Sequence, residues 1–330
     1  MNNYTSHIEN LKSRRFDEVR NECVLSNGFF NGEFPDVLRY AMEAMQEVDP
    51  SYSYKLFSSF RRTQELLVNR LRTNGIEVDA RYQGPVNTQT HIDLYGGLEL
   101  LLILKKPTNN PSKMIQAMST LIVNILDQSM SFNQIDYTDR HKIRVQTKKP
   151  VSDVTILPAV WVESSSFKKT HLEINRGICE YNFLKKTRKM YMPFLNMARL
   201  NSRDKEVGGS LKNVIRLLLS LQADSAEPID LTYDEIVGLL YNMPDQDLKV
   251  SNNKYFSILP NVSLQIQKAI TDTNYRETML SPSRMEYVFG KKQRQIALQR
   301  LKNDLDGLID SLNAGLKRMN KSITSAIVFK

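Results

Sequence analysis

The stretch Ala80-Arg81-Tyr82-Gln83-Gly84-Pro85-Val86-Asn87-Thr88-Gln89-Thr90-His91-Ile92, taken up again at Gly96-Gly97-Leu98-Glu99-Leu100-Leu101-Leu102-Ile103, decides the fold. Val78, Ala80 and Tyr82 alternate with Glu77, Asp79 and Arg81, the two-residue period of a half-buried strand, and the strand runs into a Gly84-Pro85 turn. A polar link follows, closed by Gly96-Gly97. From Leu98 to Leu104 every position but Glu99 is apolar. So short a run, bounded by turn residues, predicts a central strand buried on both faces.

Working outward, Leu56, Phe57, Phe60, Leu66, Leu67 and Leu71 recur at helical steps across Tyr54–Arg72, and Asn74-Gly75 supplies the stop. The first seventy residues read as helices. Beyond the central strand, Pro107 and Pro111 bracket a loop, and Met114 to Gln128 returns to helical spacing. Ile143 and Val145 alternate with Lys142, Arg144 and Gln146, a third strand with one basic face; Val154-Thr155-Ile156-Leu157 before Pro158 predicts a fourth. Leu211–Leu221 is apolar on nearly every side, which a helix tolerates when others wrap it, so it predicts a buried spine. Thr232-Tyr233-Asp234-Glu235 is a capping box, and a last long helix is expected from about Gln293 to Met319. The expected class is α+β: a helical lead-in over 1–74, a mixed-sheet core flanked by helices over 75–200, and a helical domain over 201–330 joined through the spine.

Composition narrows the classes. The 330 residues carry 45 Lys and Arg against 36 Asp and Glu, a formal net charge of +9. With 41% hydrophobic residues the chain can bury an ordinary core, and 13 Gly with 12 Pro favour long elements over a turn-rich sandwich. Cys23 and Cys179 lie far apart and the four histidines are scattered, so neither a disulfide framework nor a zinc-ligand spacing is present. The first residues, Met1 to His7, lack an apolar core, and Leu98 to Leu104 is too short to cross a bilayer. These features lead us to expect a cytoplasmic protein with no membrane segment. The basic excess points to a polyanionic partner such as a nucleotide or nucleic acid.

The quoted stretch resembles the opening of the polymerase-β-like nucleotidyltransferases, most closely the bacterial cGAS/DncV-like enzymes. In that family a strand ends in a Gly-Ser turn, a short helix carries a threonine, the next strand displays two aspartates as Asp-x-Asp-Leu, and a third carboxylate precedes a Val-Val-Pro-Ala-like segment. Val154-Thr155-Ile156-Leu157-Pro158-Ala159 looks like that segment, and Pro193 to Asn201 followed by Gly208 to Leu218 looks like the entry into the family's spine helix. The resemblance implies a nucleotidyltransferase sheet with a helical C-terminal half, and one cleft at the C-terminal side of the sheet that gathers Gly97, Glu99 and Thr155. It assigns nucleotide contacts to Gly84, Pro85, Thr88, Thr90 and Lys212.

Nucleotidyl transfer uses two Mg²⁺ ions about 3.5–4 Å apart, one activating the attacking hydroxyl and one holding the triphosphate. Hard cations need carboxylate oxygens. At the three matched positions Gly97 has no side chain, Thr155 has a neutral hydroxyl, and Glu99 alone is anionic; Pro85 further removes the turn's hydroxyl and one N–H. The expectation is therefore a pseudoenzyme without a cofactor, a sensor or scaffold for nucleotide, nucleic acid or protein. It would stand beside an active homologue or another partner, in bacterial anti-phage defence. The rival reading is an active enzyme that makes a nucleotide second messenger with Mg²⁺ and relocated carboxylates, Glu99 and Asp153. A basic cluster, Arg140, Lys142, Arg144, Lys148 and Lys149, is the candidate polyanion surface.

Overall fold

The computed structural model describes residues 4–26, 29, 34–106, 108–129, 132–138, 142–148, 152–183, 185–250 and 255–319. The chain opens with helix α1 (Tyr4–Arg14), a two-residue hairpin of β1 (Phe16–Asp17) and β2 (Glu22–Cys23), and helix α2 (Asp36–Met45). Helix α3 (Pro50–Thr73) starts on Asp49, whose side chain accepts from Ser51 N at 2.8 Å, with Pro50 in the first turn where its missing N–H is harmless.

Next come β3 (Val78–Gln83), β4 (Leu98–Leu104), α4 (Pro111–Asp127), β5 (Phe132–Asp136), β6 (Ile143–Thr147) and β7 (Asp153–Glu163). Helix α5 (Ser165–Thr170), β8 (Arg176–Asn182) and β9 (Thr187–Tyr191) complete this part. The sheet runs β3-β4-β7-β6-β5, and β8 and β9 continue from the far half of β7. β4 and β7 are parallel, and the other neighbours are antiparallel.

β4 is buried on both faces, as its run of apolar residues requires. Leu98, Leu100, Leu102 and Leu104 pack with Leu56, Phe60 and Leu67 of α3 and Ile115, Met118 and Ile122 of α4, while Leu101 and Ile103 meet Leu157, Ala159 and Ile178 on the other side.

Helices α6 (Pro193–Glu206), α7 (Ser210–Asp224), α8 (Tyr233–Tyr241), α9 (Asp245–Leu248), α10 (Leu259–Thr271), α11 (Thr273–Glu277) and α12 (Gln295–Arg318) form the rest of the chain. α7 is the spine: Leu211, Val214, Ile215, Leu217 and Leu218 are buried in one cluster with Leu38 and Tyr40 of α2 and Leu301, Leu305 and Leu308 of α12. The α8 capping box is formed by Thr232 and Glu235 in both directions.

The chain folds as two compact units, residues 1–47 with 199–330, and residues 48–198. The boundaries at 74 and 200 drawn from the sequence thus differ at the first edge. α1 and α2 contribute their apolar faces to the spine's core, and α3 contributes its own to the sheet, because a helical period shows that a face is buried but not against what.

Candidate active site

Gln83 closes β3, Glu99 opens β4 and Thr155 lies near the start of β7. The sheet register aligns Gln83 with Glu99, Glu99 with Thr155, Thr155 with Arg144 of β6, and Arg144 with Asp136 of β5. Register partners project on one side of a sheet, so these five side chains make a polar row across five strands. Gly97 precedes Glu99 by two residues and Asp153 precedes Thr155 by two, which puts both on the same face. Gly97, Glu99 and Thr155 therefore converge as their motif order implies. They do so at the first residues of the parallel pair rather than its C-terminal end, because the Gly96-Gly97 turn feeds directly into β4.

The turn after β3 is built for close approach. Gly84 has φ +86°, and a Cβ on it would stand 3.0 Å from Glu99 Cδ. Gly97 has φ +79°, and its Cβ would stand 3.7 Å from Pro85 Cβ. Only a glycine at 84 leaves room for the Glu99 carboxyl against the turn backbone. Thr88 and Thr90 are buried; Thr90 N donates to Pro85 O at 2.8 Å, the two threonine hydroxyls are 2.8 Å apart, and Thr88 Oγ1 donates to Gly84 O at 3.2 Å. Their hydroxyls fix the shape of the turn.

Gln83 is one of the groups that hold Glu99. Gln83, 7% exposed, donates through Nε2 to Glu99 Oε2 at 2.9 Å and to the Tyr191 hydroxyl at 3.0 Å, and that hydroxyl donates to the buried Glu180. The phenol has one proton and Glu180 takes it, so it accepts from Gln83 and fixes the orientation of the amide. Burial, and then the Glu180 carboxylate, raise the Tyr191 phenol well above its ordinary value.

Gln83 was within sight of the sequence, immediately before the turn. Tyr191 was not, since β9 is an exposed strand with no apolar alternation, and neither was Glu180, a buried carboxylate on β8 whose partner that strand supplies.

The other expected residues are spread more widely. Asp153 is exposed, accepts from Gln146 Nε2 at 3.3 Å, and donates its backbone N–H to Tyr95 O at 3.1 Å, beside Gly97. Lys142 and Lys148 flank β6, whose Ile143 and Val145 are buried in the opposite face. Arg140 and Lys149 lie outside the described residues. Lys212 sits on α7 in the helical unit, 8% exposed, where its backbone N–H donates to Asp204 Oδ1 at 2.9 Å; burial lowers its ammonium's affinity for a proton, and Asp204 opposes that.

As a cage for two dications these donors fit only in part. Among the described residues no three His, Cys, Asp or Glu side chains converge in a way that could hold a metal ion, and Glu99 is the one carboxylate at the three matched positions. No described helix is long and apolar enough to cross a membrane.

The C-terminal helical domain of the cGAS/DncV-like nucleotidyltransferases matches residues 198–313, most of the second segment of the helical unit. A c-di-GMP synthase of Capnocytophaga granulosa is 28% identical over 330 residues, covering 88% of this chain and 91% of that protein. The solved structure of the STING-associated CdnE c-di-GMP synthase from Capnocytophaga granulosa matches with a TM-score of 0.76 at 26% identity, over 95% of this chain and 99% of that one. The CdnE cyclic dinucleotide synthase of Elizabethkingia meningoseptica, solved with GTP and Apcpp, shares the fold with a TM-score of 0.62 at 14% identity, over 82% of this chain and 97% of that one.

Two expectations are corrected by these matches. Relatives that align along nearly their whole length are named synthases, which overturns the expectation of a pseudoenzyme. The expectation of no cofactor falls with it, because joining nucleoside triphosphates is the metal-dependent chemistry set out above. Loss of individual carboxylates is not loss of the whole apparatus: the sheet, the turn and the spine persist together with a carboxylate at Glu99. In its sheet, its spine and its C-terminal helices, the chain is similar to the cGAS/DncV-like nucleotidyltransferases.

Proposed function

We propose that the chain is a nucleotidyltransferase that joins nucleoside triphosphates into a cyclic dinucleotide, with c-di-GMP the product its relatives favour. The observation that carries this reading is the end-to-end match to named c-di-GMP synthases. In each of two steps a ribose hydroxyl attacks an α-phosphorus, an O–P bond forms, pyrophosphate leaves and the hydroxyl proton must be accepted. Glu99, steadied by Gln83, and Asp153, on the neighbouring parallel strand, are the carboxylates we assign to this work.

The position of Asp153 supports its relocated role. Leu98 pairs with Val154, so Asp153 flanks Gly97 across one strand spacing of about 4.8 Å, on the same face. A side chain there can enter the space that Gly97 leaves open. The Gly84–Pro85 turn, shaped by Thr88 and Thr90, is assigned to the triphosphate, an assignment that comes from the family resemblance. A nucleotide is thus the favoured ligand over a nucleic acid or a protein partner. The STING association of the Capnocytophaga granulosa protein supports a second-messenger role for this chain in anti-phage defence.

The test is incubation of the purified protein with GTP, then with each pair of ribonucleoside triphosphates, in Mg²⁺ or Mn²⁺. Pyrophosphate release together with a cyclic dinucleotide is expected, and its disappearance in Glu99→Gln and Asp153→Asn proteins that still fold. A folded wild type that releases no pyrophosphate under any of these conditions would sink the reading.

A further inference from the structure

The polar row contains a cation that the carboxylate pattern does not call for. Arg144 is the register partner of Thr155, the position that lacks the third carboxylate, and Thr155 is in turn the partner of Glu99. Arg144 is exposed, and its guanidinium makes no hydrogen bond or ion pair among the described residues; Asp136, its partner on β5, feels its charge. We propose that Arg144 binds the triphosphate of the incoming nucleotide, supplying beside Thr155 a positive charge that the incomplete carboxylate cage cannot hold there as metal. This rests on the nucleotidyltransferase reading and names the residue that meets its substrate's charge.

A cage of three carboxylates attracts two dications, and their charge neutralises the triphosphate. Replacing one carboxylate by Thr155 and another by Gly97 removes negative charge from the site and weakens its hold on metal. A fixed guanidinium in the same row restores positive charge without needing those ligands. Its planar fork matches two phosphate oxygens at once, and its stem is long enough to span the single strand spacing between β6 and β7.

The charge pattern also favours a compact polyanion over an extended one. Asp136 lies beside Arg144 on β5, and Asp153 lies opposite Gln146 on β7. A nucleic-acid backbone running along β6 would pass both carboxylates, whereas one triphosphate can meet Arg144 between them.

The experiment is calorimetric titration of the full chain with a non-hydrolysable GTP analogue and, separately, with guanosine, each with Mg²⁺ and with the metal chelated. Arg144→Gln should weaken binding of the triphosphate at least tenfold and leave guanosine within twofold. Arg144→Lys should recover part of the loss, and Lys113→Gln, exposed on helix α4 against the opposite face of the sheet, should bind as wild type does. With metal chelated, wild type should keep a weaker but saturable binding of the triphosphate that Arg144→Gln lacks.

Equal triphosphate affinity in wild type and Arg144→Gln overturns the proposal. So does a parallel loss of guanosine and triphosphate, which would mark a structural role, and so does the absence of saturable triphosphate binding by wild type. Because binding is read apart from turnover, a protein that binds through Arg144 but makes no cyclic dinucleotide would refute the synthase reading and leave this assignment standing.

Discussion

Tyr191 keeps its proton where an unfolded chain would release it. Its phenol is raised well above the ordinary value by burial and by Glu180, while in the unfolded state it titrates near 10. Above that pH the folded state binds more protons than the unfolded one, so this residue's contribution to stability is intact below pH 10 and is lost as pH rises further. Urea melts of wild type and Tyr191→Phe between pH 9 and 11 should show a steeper alkaline loss in wild type, and parallel slopes would refute the network as drawn. Tyr40 and Tyr82 are raised as well, the latter to about 12, so the difference between the two proteins is what isolates Tyr191. At neutral pH the substitution should cost about 1–3 kcal/mol, since Glu180 and Gln83 each lose a buried partner. Gly84 offers a second test. A methyl there would stand 3.0 Å from Glu99 Cδ at a φ of +86°, so Gly84→Ala should cost about 1–2 kcal/mol of backbone strain and cut synthesis at least tenfold by displacing the carboxyl. Gly75→Ala, with nothing near its Cβ and a similar φ of +79°, should show the strain without the catalytic loss. The matched positions Gly97, Glu99 and Thr155 were legible because a motif fixes their order. Gln83, next to the turn, was legible with them, whereas Tyr191 behind it was not, because it closes an exposed strand with no apolar alternation.

Strand β4 is covered by helices α3 and α4 on one face, and on the other Leu101 and Ile103 cluster with their sheet neighbours Leu157, Ala159 and Ile178 and with Phe194 of α6. Removing Leu102, fully buried beneath the helices, leaves a cavity that neighbours on a central strand cannot close. Leu102→Ala should therefore cost about 2–5 kcal/mol. Met190 on the edge strand β9 is 63% exposed, and Met190→Ala should stay within about 0.5 kcal/mol. Chemical denaturation of the two variants decides the point, and comparable losses would mean that β9 is covered in solution. The same contrast explains which strands the sequence announces. β3, β4, β6 and the start of β7 carry alternating or continuous apolar residues because they face a core. β5 reads Phe-Asn-Gln-Ile-Asp and β9 Thr-Arg-Lys-Met-Tyr, edge sequences kept polar where pairing supplies what side-chain burial does not. Tertiary pairing, invisible in a local window, makes them strands.

At the scale of the whole chain, residues 1–47 fold with residues 199–330 although the sheet unit separates them in sequence. The link is apolar and ionic together. Leu38, Tyr40 and Ala41 of α2 are buried in the spine's cluster. Arg14 of α1 grips Asp224 at the end of α7 through two bonds of 2.6 and 2.8 Å, and the Tyr40 hydroxyl donates to the same carboxylate at 2.7 Å. Arg216 of α7, held near 10 by burial, donates to Met45 O at 2.8 Å. A fragment of residues 199–330 alone would expose the apolar seat of α2 and leave Asp224 and Arg216 without these partners, and stranding a buried charge typically costs about 3–5 kcal/mol. We therefore expect that fragment to bind a hydrophobic dye and to melt without cooperativity, and to regain a cooperative transition when residues 1–47 are supplied as a separate peptide. A sharp thermal transition of the fragment alone, unchanged by the peptide, would show that the C-terminal helices are an independent domain. The N-terminal helices would then be an addition to that domain rather than part of its core.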